Sequence, residues 1–211
     1  MTFDLRSLGW DESLAASYRP LRAAERRPAR VLRADRGVCT VLGADGAVRA
    51  SLSGAVLAGA VRDPVALPCA GDWVVVRHWP DDRHTVDAVL PRRTAIVRRT
   101  ADKDAVGQIL AANVDTAAVV ESVHPSPDAG RIERLLALAW ESGARPLVVL
   151  TKCDTAADPA ALAAQIGQLA PGVGVLAVSA HRGDGLDALR GFVAPGCTLA
   201  LLGPSGSGKS T

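Results

Sequence analysis

Between residues 29 and 90 apolar residues come in short runs separated by turn-formers. The runs are Ala29-Arg-Val-Leu-Arg-Ala34, Val38-Cys-Thr-Val-Leu42, Val48-Arg-Ala-Ser-Leu52, Asp72-Trp-Val-Val-Val-Arg77 and His84-Thr-Val-Asp-Ala-Val-Leu90, with Ala44-Asp45-Gly46 reading as a turn. Runs this short, rich in valine and alternating with polar residues, predict strands. Five of them in succession predict a small barrel, with the oligonucleotide-binding (OB) type as first choice and an SH3-like barrel as the alternative. From Gln108 the rhythm changes. Val114–Val120, Pro146–Leu150, Val173–Ser179 and Cys197–Leu202 read as strands, the last as a buried one. Between them lie helical patterns: Arg131–Ser142, with Ile132, Leu135, Leu136 and Ala139 on one face and Gly143 as its stop, then Pro159–Leu169 and Gly183–Val193. Such alternation predicts a parallel sheet with helices on both faces, whose ligands bind at the C-terminal strand ends.

The predicted organisation is therefore an N-terminal arm (1–28), a barrel (29–93), a linker (94–107) and an α/β domain (108–211). In the arm, Asp11 is placed to cap a short helix, and Arg19, Arg22, Arg26, Arg27 and Arg30 make the segment basic and loosely ordered until it meets a polyanion. Trp73 is expected in the barrel core, which leaves few aromatics for stacking bases.

Charge sharpens this picture. Residues 1–100 hold sixteen Arg and no Lys against eleven Asp and Glu, whereas residues 101–211 hold eight basic residues against eleven acidic. A basic front half on an acidic back half points to nucleic acid at the front, with Arg92, Arg93, Arg98 and Arg99 as the candidate RNA contacts and phosphate pairing as their mode. No charged leader precedes an apolar core and no apolar run is long enough to span a bilayer, so a cytoplasmic protein without membrane contact is expected. Cys39, Cys69, Cys153 and Cys197 are far apart, without a C-x-x-C pair or a histidine at ligand spacing, and read as reduced, mostly buried thiols.

The chemistry is concentrated at the end of the chain. Gly203-Pro204-Ser205-Gly206-Ser207-Gly208-Lys209-Ser210-Thr211 fits the P-loop pattern G-x-x-x-x-G-K-[ST] directly after a predicted strand. Glycines let successive backbone N–H groups curl around phosphate oxygens; Lys209 can reach the outer phosphates, Ser210 is the expected magnesium ligand, and Thr211 is a further phosphate contact. Two other strand ends share that rim, Thr151-Lys152-Cys153-Asp154 and Ser179-Ala180. A carboxylate there can accept hydrogen bonds from guanine N1–H and its 2-amino group, which adenine cannot offer. Asp154 is in position to do so, with the stem of Lys152 along the base plane and the Ala180 amide donating to O6.

These elements resemble the base-reading, Ser-Ala and phosphate motifs of a GTPase in permuted order, base recognition preceding the P-loop. Permutation behind a small barrel resembles the ribosome small subunit-dependent GTPase A family. Leu67-Pro-Cys-Ala-Gly-Asp-Trp-Val74, Leu90-Pro-Arg-Arg-Thr-Ala-Ile-Val-Arg98, Gln108-Ile-Leu-Ala-Ala-Asn-Val-Asp115 and Arg134-Leu-Leu-Ala-Leu-Ala-Trp140 support it, and the likeness covers nearly the whole chain. The resemblance implies a circularly permuted GTPase that binds GTP/GDP and Mg2+ and acts late in small (30S) subunit maturation. It also implies hydrolysis stimulated by the ribosome, a barrel touching 16S rRNA, and a monomer.

Two departures stand out. Thr151 replaces the usual Asn and is expected to lose a hydrogen bond around the P-loop, about 0.5 to 1.5 kcal/mol. The switch, the D-x-x-G segment and the family's zinc-binding domain are not found before Thr211, so the chain reads as a truncated member, inactive in hydrolysis alone, without the Zn2+ ligands and with no assignable catalytic residue. The competing readings are a P-loop ATPase and an RNA-binding fragment with an inert nucleotide domain.

Overall fold

The alternation that begins at Arg26 curls into a closed barrel in the computed structural model, which describes residues 2–98 and 107–210. The strands are β1 (Arg26–Asp35), β2 (Val38–Gly43), β3 (Gly46–Leu52), β4 (Trp73–His78) and β5 (His84–Val89). Their spatial order is β1-β2-β3-β5-β4, closed by antiparallel pairing of β4 with β1; β3 and β5 run parallel. Closure in this Greek-key order is that of the OB barrel. The inward residues Val31, Cys39, Val41, Ala50, Val74 and Val86 form its core. The β2–β3 turn is the one expected, with Gly46 at φ 118°.

The chain divides into two units, residues 1–113 and 114–211. Three features of the first unit depart from the sequence reading. The N-terminal segment is packed rather than loose. Helix α1 (Glu12–Tyr18), capped by the Asp11 carboxylate accepting from Leu14 N at 2.9 Å, buries Leu14 against Trp73, Val75 and Leu90. Trp10 meets the fully buried Trp73 edge-on at 4.8 Å between ring centroids. A second small core therefore forms on the barrel's outer surface, and its apolar burial orders the arm. The second departure is helix α2 (Gly54–Arg62), which follows β3 with only Val56 buried; its nearly uniform apolar sequence carries no facing signal. The third is the segment expected as a linker, which supplies β6 (Ala95–Arg98), paired antiparallel with β7 (Gln108–Ala112). Arg99 and residues 101–104 of that segment lie outside the described residues.

Arg92 has a structural role. Its guanidinium forks onto the wholly buried Asp72 (Nε–Oδ1 2.7 Å, Nη2–Oδ2 2.8 Å) and donates to the carbonyls of Val65 and Leu67. This counts against Arg92 as an RNA contact, because four of its five N–H donors are already engaged within the unit. Arg93 pairs with Asp11 at 3.1 Å. Asn113 closes the unit in the left-handed region (φ 52°), accepting from Arg93 N through Oδ1 and donating to Gly71 O through Nδ2.

Gly71 (φ 89°) leaves no room for a side chain, since a Cβ there would stand 2.1 Å from the Ala112 carbonyl oxygen, a backbone atom. We expect Gly71→Ala to destabilise the first unit by about 2 kcal/mol or more, read as a lowered urea midpoint. An unchanged midpoint would show that this backbone approach is not a constraint.

In the second unit β8 (Thr116–Ser122), β9 (Arg145–Thr151), β10 (Gly174–Ala177) and β11 (Leu199–Leu202) form an all-parallel sheet in the order β10-β9-β8-β11. Helices α3 (Ala129–Glu141) and α4 (Pro159–Leu169) cover one face through Ile132, Leu136 and Ile166 against Val119, Val148 and Leu150. Helix α5 (Leu186–Arg190) covers the other, through Leu186 and Leu189 against Val120, Val149 and Val178. Among the described residues β11 pairs with β8 alone, and Leu201 is 40% exposed rather than buried as expected.

Of the four thiols, Cys39, Cys69 and Cys153 are buried and Cys197 is exposed, all unpaired. Burial pushes the Cys39 thiol up to about 11, which leaves it protonated and unreactive near neutrality.

Candidate functional site

Because the four strands are parallel, their C-terminal ends form one rim, and three sequence-predicted elements meet there. β9 delivers Thr151-Lys152-Cys153-Asp154, β10 leads to Ser179-Ala180, and β11 leads to the glycine-rich loop from Gly203 to Ser210. Thr211 lies outside the described residues. Among the described residues a cavity of about 420 Å³ is lined by Thr151, Lys152, Asp154, Ala180, Gly208 and Lys209, together with apolar side chains from the sheet and α5.

Local backbone explains the loop. A Cβ on Gly203 would lie 2.2 Å from the Val120 carbonyl oxygen, so the chain leaves β11 pressed against β8 and only glycine fits. Gly206 (φ 79°) and Gly208 (φ 88°) take left-handed conformations that turn the loop back on itself. Ser207 is buried within the turn, Ser205 and Ser210 are exposed, and Pro204 is part of the lip. Lys209 Nζ donates to Gly203 O at 2.9 Å and also to Pro204 O, which points the ammonium into the loop.

The β9 end is tied to that loop by side chains. Thr151 Oγ1 donates to Ser207 O at 2.6 Å and lies 3.3 Å from Glu121 O. A hydroxyl has one proton for two carbonyls, and the short distance gives it to the loop. Lys152, itself left-handed (φ 59°), sends Nζ to Gly206 O at 2.9 Å, so its stem spans from the end of β9 to the glycine-rich loop. Cys153 differs from its neighbours. Its thiol turns into the core and donates to Leu150 O at 3.1 Å, so it brings no side chain to the rim.

Asp154 is oriented by a residue 25 positions away. Ser179 Oγ donates to Asp154 Oδ1 at 2.7 Å and accepts from Arg182 N at 3.2 Å. That hydroxyl bond, followed by the backbone amide of Asp154 and the nearby Arg182 guanidinium, holds the Asp154 carboxyl below the usual range and keeps it ionised. Ser179 is in turn held by Ser179 N to Asp184 O at 2.9 Å and Gly183 N to Ser179 O at 2.8 Å. Gly185 (φ 73°) lets the turn close, because a Cβ there would stand 2.3 Å from Ala177 O. The sequence reading missed Arg182, Gly185 and His181, though the turn-rich His181-Arg-Gly-Asp-Gly185 was the signal available.

What the arrangement can do follows from its donors. Loop amides and two ammonium groups favour an anion of several charges, and an ionised carboxylate on the same rim favours a planar ligand with two adjacent N–H donors.

A sequence profile described as RsgA GTPase matches residues 89–211. The protein of Streptomyces coelicolor named small ribosomal subunit biogenesis GTPase RsgA is 51% identical over 98% of this chain and 56% of its own length. The Streptomyces avermitilis protein of the same name is 46% identical over 96% and 54%. The chain thus spans little more than half of these curated relatives. Among solved structures, YjeQ from Thermotoga maritima superposes with a TM-score of 0.68 at 22% identity, over 88% of this chain and 63% of that one. YloQ, a circularly permuted GTPase, does so at 0.58 and 24%, over 88% and 62%. At such identities these two likenesses speak for the fold.

Proposed function

The chain belongs to the RsgA GTPase family, and from that membership we propose that its rim binds guanine nucleotide and that the whole protein hydrolyses GTP in small ribosomal subunit biogenesis. The single observation that carries the nucleotide reading is the Asp154 carboxylate, set by Ser179 on the same rim as the glycine-rich loop. In this reading Asp154 accepts from guanine N1–H and the 2-amino group, and the Ala180 amide donates to O6. The Lys152 stem flanks the base, Thr151 and Cys153 support the loop that carries it, and Gly203 through Thr211 surround the phosphates.

The residues present fit a nucleotide. The loop leaves β11 through Gly203, which tolerates no Cβ, and turns on the left-handed Gly206 and Gly208, and Lys209 already spends its donors on loop carbonyls that phosphate oxygens can replace. Ser210 would hold Mg2+, whose charge offsets that of the phosphates when bound. Zn2+ belongs to the reading of the full-length protein; among the described residues no cluster of His, Cys, Asp and Glu could hold a metal.

The proposed partner is the 30S subunit in its late maturation, with 16S rRNA met by the barrel unit, by a monomeric protein in the cytoplasm. Among the described residues no helix is long and apolar enough to cross a membrane. Of the proposed RNA contacts, Arg98 is exposed and Arg93 is paired with Asp11, whereas Arg92 is engaged by Asp72 and Arg99 lies outside the described residues. Arg22, Arg36 and Arg49 are exposed on the same unit, and no hydrogen bond or ion pair of their side chains to described residues is seen, so they join Arg98 as phosphate contacts.

The test is phosphate release from GTP by the full-length protein with and without purified small subunits. Release that rises with small subunits and not with large ones is the expected result; equal turnover of ATP, or no response to the subunit, would remove the reading.

A further inference from the structure

The rim holds one ring that the guanine reading has not used. His181 lines the same cavity as Lys152, Asp154, Ala180 and Lys209. It is the only aromatic side chain on that lining among the described residues, whose remaining members are aliphatic, hydroxyl-bearing or charged. Its side chain is exposed and shows no hydrogen bond, ion pair or ring contact with the described residues.

Its backbone is nonetheless fixed. Ser179 on one side and Gly183 on the other are hydrogen-bonded to each other, and the Arg182 amide is held by the Ser179 hydroxyl, the same hydroxyl that orients Asp154. His181 therefore stands at the apex of a turn whose geometry is locked to the base-reading carboxylate. A planar ring on the lining of the cavity, with its backbone fixed and its faces free of ring contacts with the described residues, is what a planar ligand stacks on.

Resting on the guanine-nucleotide reading above, we propose that His181 is a base-stacking residue that closes the slot over the purine. Stacking serves every base with a π-face, so this contact adds affinity for the base and leaves guanine-over-adenine discrimination to Asp154. Phosphate affinity does not depend on it, because the loop from Gly203 to Ser210 supplies those contacts.

The experiment measures binding of GDP, ADP and inorganic tripolyphosphate by the full-length protein, each by displacement of a fluorescent GDP, for wild type, His181→Ala and His181→Phe. His181→Ala is expected to weaken GDP and ADP about tenfold alike, with tripolyphosphate unchanged, and His181→Phe to restore GDP binding to near the wild-type value. GDP affinity in His181→Ala equal to wild type would overturn the proposal. So would a loss shared by tripolyphosphate, or a loss that phenylalanine does not rescue, since either marks disruption of the turn rather than removal of a stack. Failure of the underlying reading looks different: wild-type protein that binds ADP as tightly as GDP, or neither, would sink the guanine site itself whatever the variants do.

Discussion

Asp154→Ala is expected to erase the preference for guanine over adenine nucleotides, while tripolyphosphate still binds. The carboxylate distinguishes the two bases by charge and by a pair of accepted hydrogen bonds, a larger difference than the single bond from the Ala180 amide. Guanine turns two donors toward it; adenine turns an acceptor and a C–H, which leaves the ionised group dehydrated and unpaired. Sites that read a ligand by buried hydrogen bonds reject the wrong ligand by about 10⁴ to 10⁵. Asp154 is half-buried rather than enclosed before binding, so a smaller ratio, of about 10² to 10³, is expected here. The measurement is competition of GTP, GDP and ATP against a fluorescent guanine nucleotide with magnesium, on full-length wild type and variant. A ratio that survives the substitution would mean that Asp154 reads no base, and an ATP-using P-loop protein would become the better reading. The effect is distinct from that of His181→Ala, which lowers both purines together.

Arg92→Ala is expected to cost about 3 to 5 kcal/mol of stability in the first unit. The Asp72 carboxylate is wholly buried, and besides Arg92 it accepts from Cys69 N at 2.8 Å. Removing the guanidinium leaves a buried negative charge with one neutral donor, and it also orphans the carbonyls of Val65 and Leu67. The penalty comes chiefly from the stranded charge. The double variant Asp72→Leu with Arg92→Met, which removes both charges, should therefore recover much of the loss. Urea unfolding of wild type and the two variants decides this: a single variant as stable as wild type, or a double variant no better than the single, would show that the pair is not a fastening. Any fall in RNA affinity in Arg92→Ala then needs correction for unfolded protein before it is credited to a lost phosphate contact.

Much of the architecture was legible because it rests on local patterns. Five strand-like runs and the Ala44-Asp45-Gly46 turn became the barrel, and the alternation after Gln108 became the parallel sheet, since side-chain periodicity is set residue by residue. What escaped was set by distant partners. Leu14, Trp10 and Trp73 form their cluster across some sixty residues of chain, so a segment that looked like a loose basic arm is packed. Ala95–Arg98 looked like part of a linker because Arg92, Arg93, Arg98 and Arg99 crowd around its short apolar run, yet it pairs with Gln108–Ala112. Helix α2 escaped for a different reason, having no polar face to set a period.

For the site, the sequence by itself determined the glycine-rich loop and the identity of the residues at three strand ends. Glycines at Gly203, Gly206 and Gly208, and the lysine that follows, act through backbone freedom and a charge placed a few residues away, and both are written in the local order of the chain. Only the tertiary structure decided how those ends cooperate. It brought the Ser179 hydroxyl to Asp154, the Thr151 hydroxyl to the Ser207 carbonyl, and the His181 ring to their rim. It also decided which arginines are available, by burying Arg92 on Asp72 and leaving Arg36 and Arg49 in solvent. The physical reason is one of range: a backbone conformation depends on a residue and its neighbours, whereas a hydrogen bond or an ion pair depends on where the sheet brings two distant residues together.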